Sequence, residues 1–411
     1  IIDCDEKKNA LRNLFKNSKV AFIYGAAGTG KSTMINYISS LFKDKQKIFL
    51  ANTNPAVENL RRKVTAEHAE FVTITKFLSK DVSNDCDILC LDECSTISNR
   101  DMVRVLQRAQ CKLLVLVGDI YQIESILFGN WFNIAYKVMP KDSVAELTRP
   151  HRTTVQGLIE VWNKVREITE DRLEFITRNG LSSTLDESIF SRTEEDEIVL
   201  CLNYDGIYGI NNINKFLQSN NVNPSINWGV LSYKVGDPVL FNESNRFAPL
   251  VYNNLKGKIL QIEEEEDCIY FTIEVYTVLN ELDVIGFDLE LKESVTDETS
   301  VIRFKVGRGG DGNDDNDNVE NVVPFQVAYA ISIHKAQGLE YESVKVVITS
   351  EIEEMVSHNI FYIAITRAKS KLKIYWSPET EKRILENMKV QFNDKDYQLF
   401  KAKYKEALLK S

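Results

Sequence analysis

The sequence predicts an α/β fold built on a parallel sheet, and three observations support this prediction. Residues 20–24 form an apolar run, which a glycine-rich loop and a periodic, helix-like segment follow. A second apolar run ends in Asp92-Glu93, and a third ends in Gly118-Asp119. Buried apolar runs that alternate with helical segments are typical of βαβ units. Because parallel strands end at one edge of a sheet, we expect the loop and the acidic residues to lie close together.

Composition limits the classes of protein to consider. The chain has 411 residues, enough for two or three domains. Its net charge of −10 disfavours broad electrostatic adhesion to nucleic acid but is compatible with a narrow groove of local basic and aromatic residues. No apolar run approaches the ~18–20 residues of a membrane span. The seven cysteines form no C-x-x-C pair, which disfavours disulfide and zinc frameworks, so we expect a cytoplasmic protein without membrane segments.

The glycine-rich loop carries the clearest chemical signal. Residues 25–32 match G-x-x-x-x-G-K-[ST] at every fixed position. Glycines let backbone N–H groups approach phosphate oxygens, Lys31 is expected to reach the outer phosphates, and Ser32 is expected to ligate Mg²⁺. A chance Gly-rich turn before Lys-Ser is the structural alternative, which the flanking strand and helix disfavour. The predicted ATP-binding residues of this loop are Gly25, Ala26, Ala27, Gly28, Thr29, Gly30, Lys31, Ser32 and Thr33.

The acidic residues at the strand ends complete a predicted hydrolytic site. Asp92 is expected to hold Mg²⁺, directly or through water, and Glu93 to polarise the attacking water. Asp119 and Gln122 are candidates to sense the γ-phosphate, although a turn capped by Gly118 and Asp119 is the alternative reading. The residues therefore predict an NTPase that uses Mg²⁺.

The rest of the chain changes character twice. Residues 229–306 contain short alternating strands and few helical patterns, which predicts a small all-β domain. Residues 307–318 are acidic and of low complexity, which predicts a loop. Residues 378–411 are rich in Lys and Glu and predict an amphipathic helical tail with a solvated face.

Seven segments in a fixed order resemble superfamily 1 helicases, and specifically the RecD-like group. The glycine-rich loop of residues 25–32, a P-loop, is shared by many families. HKAQG (334–338) and AITRAK (364–369), following this P-loop, are much more specific than the P-loop alone. The match covers most of residues 5–376. The segments are GAAGTGKST (25–33), ANTNPAVENL (51–60), LDECS (91–95), VGDIYQIESILFGN (117–130), LTRPHRT (147–153), AISIHKAQGLEYESV (330–344) and FYIAITRAKSKL (361–372).

The resemblance implies two RecA-like domains with ATP between them and an SH3-like β domain inserted in the second. The implied limits are 1–145 for the first RecA-like domain, 146–228 and 321–378 for the two parts of the second, 229–306 for the β domain, 307–320 for the acidic loop, and 379–411 for the helical tail.

The resemblance also implies roles for individual residues. Lys31, Glu93 and Gln122 are implied catalytic residues of the first domain, and Arg152 and Arg367 look like two γ-phosphate arginines from the second. Glu340 looks like a ribose-contacting acid. His334 is implied to contact the strand, although as an isolated residue it would equally pass for a core histidine. The implied nucleic-acid contacts are Thr53, Asn54, Pro55, Thr73, Thr75, His334 and Lys335.

Three features depart from the family pattern. Family members commonly place an adenine-reading Gln three residues ahead of an Ala, and here Lys7 precedes Ala10. The chain between Thr75 and the strand at Asp87 is short for a strand-separating hairpin, which favours translocation over unwinding. The acidic loop has no counterpart in the pattern.

The predicted function is ATP-dependent movement on single-stranded nucleic acid, as a DNA helicase moving 5′ to 3′. An RNA helicase of the viral superfamily 1 type is an alternative, since the motifs barely separate the two. A nucleotide-driven switch that binds a partner protein is a second alternative, favoured by the acidic composition. A nucleoside kinase leaves HKAQG and AITRAK unexplained.

Overall fold

The computed structural model describes residues 5–14, 19–26, 28–79, 84–120, 130–149, 151–242, 246–248, 250–294, 296–308, 321–388 and 394–410. It contains two compact units. The first comprises Ile1–Phe175, Val356–Thr366 and Leu385–Ser411, and the second comprises Ile176–Met355 and Arg367–Ile384. Among the described helices, none has both the length and the apolar character that crossing a bilayer demands.

The strands are β1 (Val20–Gly25), β2 (Lys47–Ala51), β3 (Ala69–Thr73), β4 (Asp85–Leu91), β5 (Gln110–Gly118), β6 (Val144–Leu147), β7 (Ser182–Ser183), β8 (Glu197–Cys201), β9 (Ser225–Trp228), β10 (Leu231–Lys234), β11 (Pro238–Phe241), β12 (Lys256–Glu264), β13 (Cys268–Val275), β14 (Glu290–Lys292), β15 (Ser300–Gly307), β16 (Phe325–Val327), β17 (Ala330–Ser332), β18 (Tyr341–Val347) and β19 (Ala368–Tyr375). The α-helices are α1 (Asp5–Leu14), α2 (Lys31–Leu41), α3 (Asn54–Lys63), α4 (Ile74–Leu78), α5 (Asn99–Arg108), α6 (Trp131–Val138), α7 (Gln156–Glu167), α8 (Arg172–Arg178), α9 (Ile210–Ser219), α10 (His358–Ile365), α11 (Pro378–Asn387) and α12 (Asp394–Lys410).

The first unit is built on a six-stranded parallel sheet in the order β3-β2-β4-β5-β1-β6. Strand β1 is covered on both faces, because Phe22 packs in one apolar layer with Phe132 of α6 while Ile23 packs in the other with Met34 of α2. A parallel strand buried on both faces needs a nearly continuous apolar sequence, which residues 20–24 supply. The predicted parallel arrangement of this region is confirmed.

The second unit contains another parallel sheet, with five strands in the order β17-β8-β18-β19-β7. Its strands come from distant parts of the chain, because the β-rich segment lies in sequence between β8 and β17. The two parallel sheets confirm the predicted class of two RecA-like α/β domains.

The β-rich segment forms a six-stranded antiparallel sheet in the order β14-β15-β13-β12-β11-β16. Its core contains a cluster of aromatic rings from Phe241, Phe271, Phe304 and Phe325. The segment is rich in β-strands, as predicted, whereas its identity as an inserted SH3-like domain stays a prediction. Strand β16 lies outside the predicted range 229–306 and still pairs with β11, a long-range pairing that local alternation does not indicate.

A buried carboxylate ties helix α9 to the start of this sheet. Asp237 has no exposed surface and accepts hydrogen bonds from Gln218 Nε2 (2.5 Å), Asn221 Nδ2 (2.9 Å) and Tyr329 Oη (2.8 Å). Hydrogen bonds to a charged acceptor are stronger than neutral ones, and they offset the cost of removing this carboxylate from water.

The C-terminal tail forms α11 and α12, and most of their described side chains are exposed, as the prediction of a solvated face requires. Leu385 is 1% exposed, and Asp396 accepts a hydrogen bond from Asn130 Nδ2 at 2.7 Å. The tail therefore packs against the first unit through α6, which periodicity alone could not reveal.

Candidate nucleotide-binding site

The loop between β1 and α2 has the backbone shape that a phosphate-binding loop requires. Gly28 and Gly30 have φ angles of +77° and +82°, a region that glycine enters without a steric penalty. A Cβ on Gly28 would lie 2.7 Å from Arg152 Cβ, and a Cβ on Gly25 would lie 2.7 Å from Thr29 Oγ1. Side chains at these two positions would clash with Arg152 and Thr29, so the close packing of the loop requires glycine there.

Lys31 begins α2 and bridges this loop. Its Nζ donates hydrogen bonds to the carbonyl oxygens of Gly25 (2.7 Å) and Ala26 (3.0 Å), and it lies 3.7 Å from Asp119 Oδ2. The Asp119 side chain is 1% exposed, so a buried carboxylate at the end of β5 holds the lysine at the mouth of the loop. Asp119 was a predicted γ-phosphate sensor, and its contact with Lys31 places it beside the phosphate loop.

Asp92 and Glu93 follow β4 at the same edge of the sheet. Asp92 Oδ1 accepts a hydrogen bond from Glu93 N at 2.9 Å. Burial raises the pKa of the Asp92 carboxyl, while that hydrogen bond and the charges of Lys31 and Lys63 act in the opposite direction. Glu93 has a φ of +52°, an unusual conformation for a residue with a side chain, and such backbone strain is typical of functional sites.

The donor set fits a magnesium ion bound together with a nucleotide. Ser32, at the second position of α2, and Asp92 are the residues that would hold Mg²⁺, which proteins usually bind through one or two carboxylates plus substrate phosphates. In the described part of the chain, no cluster of three or more His, Cys, Asp or Glu residues could hold a metal ion. Any bound Mg²⁺ would neutralise phosphate charge.

Arg152 reaches the phosphate loop from within the first unit. His151 N donates a hydrogen bond to Gly28 O at 2.7 Å, which fixes the chain of residues 151 and 152 against the loop. Arg152 Nη1 donates to the carbonyl oxygen of Thr366. The resemblance assigned Arg152 to the second RecA-like domain, whereas its contacts group it with the P-loop.

The other predicted phosphate and ribose residues lie in the second unit. Arg367 is 2% exposed, and its Nη1 donates to Leu339 O at 3.2 Å. The backbone oxygen of Glu340 accepts a hydrogen bond from Lys256 Nζ at 3.0 Å. The first of these contacts holds the AITRAK arginine against Leu339, the residue that follows the HKAQG segment.

The predicted strand-binding residues of the first unit lie at one sheet edge. Ala51, which ends β2, pairs in register with Thr73, which ends β3, so Thr53 and Thr73 lie at two neighbouring strand ends. Both hydroxyls cap helices, since Thr53 Oγ1 accepts from Ala56 N and Thr73 Oγ1 accepts from Lys76 N. Thr75 is exposed. The side chains of Asn54 and Pro55 lie outside the described residues.

In the second unit, His334 is exposed, which disfavours the reading of a core histidine. Lys335 Nζ donates to Gln326 Oε1 at 2.7 Å, and burial lowers the pKa of the Lys335 ammonium. These two neighbours therefore differ, since one side chain faces solvent and the other is bound to the β insertion.

Three predictions fall on residues that the structure does not describe: Ala27 of the phosphate loop, Gln122, and most of the acidic loop. The six described cysteines are all free thiols.

Helix α1 contributes residues that the motifs did not identify as part of the site. Glu6 Oε1 accepts hydrogen bonds at 2.7 Å from both the backbone N and the Oγ1 of Thr148. Lys7 is 5% exposed and contacts Gly30, because a Cβ placed there would lie 3.0 Å from Lys7 Cε. The position of Lys7 before Ala10 was the one sequence signal that linked this helix to a nucleotide site.

Comparisons with known families and proteins agree with this architecture. Residues 4–186 match the family described as AAA domain, and residues 327–375 match the UvrD-like helicase C-terminal domain. The first match covers the phosphate loop, β4 and Arg152, and the second covers the HKAQG and AITRAK segments.

Individual relatives are distant but align along most of the chain. An uncharacterised protein of Methanocaldococcus jannaschii is 24% identical over 90% of this chain, which spans 37% of that protein. The RecBCD enzyme subunit RecD of Buchnera aphidicola is 22% identical, with 92% of this chain and 76% of the subunit covered. The crystal structure of a Pif1 helicase from Bacteroides, in complex with ADP-AlF3 and ssDNA, superposes with a TM-score of 0.56 at 17% identity, covering 99% and 98% of the two chains. In its ordered motifs, its two parallel sheets and both family matches, the chain is similar to the RecD-like group of superfamily 1 helicases.

Proposed function

We propose that this protein is an ATP-driven motor that moves 5′ to 3′ along single-stranded DNA and separates duplex DNA as it moves. The observation that carries the proposal is the convergence of Lys31, Asp92, Asp119 and Arg152 around one glycine loop. A cation at the outer phosphates, a carboxylate for Mg²⁺ and an arginine are the parts that phosphoryl transfer needs.

Glu93 is proposed to orient the attacking water, and Gln122 to sense the γ-phosphate with Asp119. Lys31 and Arg152 would stabilise the charge that builds on the transferred phosphate, because fixed cations act strongly where water is excluded. Arg367 and Glu340 are proposed to contact the γ-phosphate and the ribose. These roles follow the resemblance residue by residue.

The proposed DNA contacts lie at the C-terminal edge of β2 and β3 and after β17. Thr53 and Thr73 follow neighbouring strand ends, and the helix N-termini that they cap present backbone N–H groups, which suit a phosphate backbone. Asn54, Pro55, Thr75, His334 and Lys335 complete the proposed set. Since the net charge is −10, binding would depend on such local contacts.

Two similar proteins support DNA as the substrate. One is a subunit of the RecBCD enzyme, and the other is a Pif1 helicase in complex with ssDNA. The direction of movement rests on the resemblance to the RecD-like group. A cytoplasmic location is proposed because the described cysteines are free thiols, as expected in a reducing compartment.

The deciding experiment measures the ATPase rate alone, with single-stranded DNA and with single-stranded RNA of matched length. We expect the strongest stimulation with DNA, and no hydrolysis in a Lys31→Ala variant that keeps the parent's circular dichroism spectrum. Lys43→Ala is the matched control, because Lys43 is an exposed lysine near the end of the same helix. Stronger stimulation by RNA would replace DNA with RNA in the proposal.

A nucleotide-driven switch that binds a protein partner is the second candidate, and the acidic composition favours it. An ATPase rate indifferent to both nucleic acids would support the switch.

Strand displacement on duplexes with either a 5′ or a 3′ single-stranded tail tests the direction of movement. The proposal requires unwinding of the 5′-tailed duplex only.

A further inference from the structure

Lys7 is a buried lysine whose charge no described group neutralises. It lies in α1 and is 5% exposed. Its ammonium lies against Gly30, and a Cβ on that glycine would clash with it. Within the described residues it forms no hydrogen bond or salt bridge. Its neighbour Lys8 shows the ordinary pattern, with a side chain 43% exposed and an ion pair to Asp5 at 3.9 Å.

A buried ammonium without a partner is costly, because it loses its hydration and gains no compensating contact. The electrostatic field at the start of helix α2 increases the free-energy cost of burying this ammonium group. Gly30 is the N-cap of α2, so Lys7 lies beside the positive end of a helix dipole. Burial lowers the pKa of His151, and the positive charges of Lys7 and Arg149 lower it further, against the opposing charge of Glu6. This edge of the loop therefore carries an excess of positive charge that an anion would relieve.

We propose that Lys7 is a second phosphate-binding lysine, which contacts the phosphate chain of a bound nucleoside di- or triphosphate from the α1 side of the loop. The inference rests on the proposed nucleotide site and extends it. Lys31 contacts the loop at Gly25 and Ala26. Lys7 contacts the loop at Gly30, and a Cβ on Gly30 would lie 3.5 Å from Thr33 Oγ1.

The chemistry of the ammonium group favours phosphate over the base. An ammonium group only donates hydrogen bonds, and phosphate oxygens only accept them. Adenine presents one donor and one acceptor on its exposed edge, a pattern that a side-chain amide reads and an ammonium cannot. Lys7 is therefore expected to strengthen binding through charge, for adenine and guanine nucleotides alike.

The test compares Lys7→Met with Lys8→Met by calorimetric titration of ADP and of GDP. Methionine keeps the length of the apolar stem and removes the charge. We expect Lys7→Met to weaken both nucleotides by about tenfold or more, the usual effect of losing a hydrogen bond between charged groups. The ratio of the two dissociation constants should stay at the parent's value, and Lys8→Met should bind like the parent. Lys7→Arg should recover most of the lost affinity, which a purely structural role for the stem would not explain.

Two results would overturn the inference: unchanged affinity in Lys7→Met, or weakening of ADP alone, which would make Lys7 a reader of the base. Should Lys7→Met fail to fold, Lys7→Gln gives the same comparison with a polar, uncharged side chain. The Lys31→Ala variant distinguishes failure of the role of Lys7 from failure of the proposed nucleotide site. If it loses hydrolysis while Lys7→Met binds normally, only the role of Lys7 fails; if it hydrolyses ATP normally, the nucleotide site itself is misassigned.

Discussion

Arg152 donates a hydrogen bond from Nη1 to the backbone carbonyl oxygen of Thr366, the residue that precedes Arg367 in the chain. On its other side, Arg152 Cβ is the atom nearest to the position that a Cβ on Gly28 would occupy. One side chain thus touches both the phosphate loop and the AITRAK segment. A substitution that disturbs one of these two contacts of Arg152 is therefore expected to disturb the other contact as well.

Replacing Arg152 with alanine is expected to slow ATP turnover by roughly 10²-fold, because the donor that we propose at the transferred phosphate is lost. The affinity for ADP should change much less, since the predicted contact is to the γ-phosphate. Steady-state ATPase rates and ADP titration measure the two effects. Arg100→Ala, at an exposed arginine of α5, is the control. Equal losses of ADP binding and of turnover in Arg152→Ala would instead indicate collapse of the loop.

Arg367→Ala is expected to lower turnover by ~10³-fold or more while sparing ATP binding, as for other arginine fingers. Arg367 is buried and hydrogen-bonded to Leu339 O, so thermal unfolding of the variant must be compared with that of the parent. Lys369→Ala, a partly exposed cation two residues away, is the matched control. A folded Arg367→Ala enzyme with near-parental turnover would remove Arg367 from the catalytic set.

Two glycine substitutions are expected to act in opposite directions. Gly28→Ala places a Cβ at a φ of +77° and against Arg152, which should cost about 1–2 kcal/mol of stability and weaken ADP binding. Gly157, in the first turn of α7, has open space around its Cα, and alanine there should be neutral or stabilising by up to about 1 kcal/mol. Urea unfolding and ADP titration of both variants provide the test. Equal behaviour would show that the loop glycine has no special role.

The sequence predicted the parts of the fold that depend on local patterns. The apolar runs at β1, β4 and β5 were identified because strands buried on both faces carry nearly continuous apolar sequence. The loop glycines and Lys31 were identified because a phosphate-binding loop imposes fixed spacing. Family resemblance then supplied the order of the segments and the second parallel sheet.

What the sequence could not predict depends on contacts between distant residues. The pairing of Phe325 with Phe241, the packing of Asp396 on Asn130, and the burial of Lys7 on Gly30 each join segments whose local patterns are ordinary. Residues 74–78 form helix α4, although Ile74 and Thr75 continue an apolar alternation, because the Thr73 hydroxyl caps a helix there. In each case the deciding contact is a tertiary or capping contact that local propensity does not indicate.

The stability of the protein is expected to fall below pH 6.5 through His358. This histidine is 5% exposed, and its Nε2 lies 2.8 Å from Val165 O. Burial lowers the pKa of the imidazole and the charge of Arg172 adds to the effect, while hydrogen bonds to Val165 and Asn359 oppose it. The imidazole in the unfolded chain has the ordinary pKa of 6.5, so the unfolded chain takes up the proton first as the pH falls. The contribution of His358 to stability is complete above the pKa of the unfolded chain. It is lost as the pH falls from that pKa to the lower pKa of the folded chain, and it changes no further below the folded pKa.

Within this window the free energy of unfolding should fall by up to about 1.4 kcal/mol per pH unit from this one group. Urea unfolding at pH 7.0 and pH 5.5 measures the change, and His358→Gln should reduce it, because the amide can still donate to Val165 O but does not titrate. If His358→Gln and the parent lose stability equally on acidification, the acid sensitivity arises elsewhere, and His358 is protonated as easily in the folded chain as in the unfolded one.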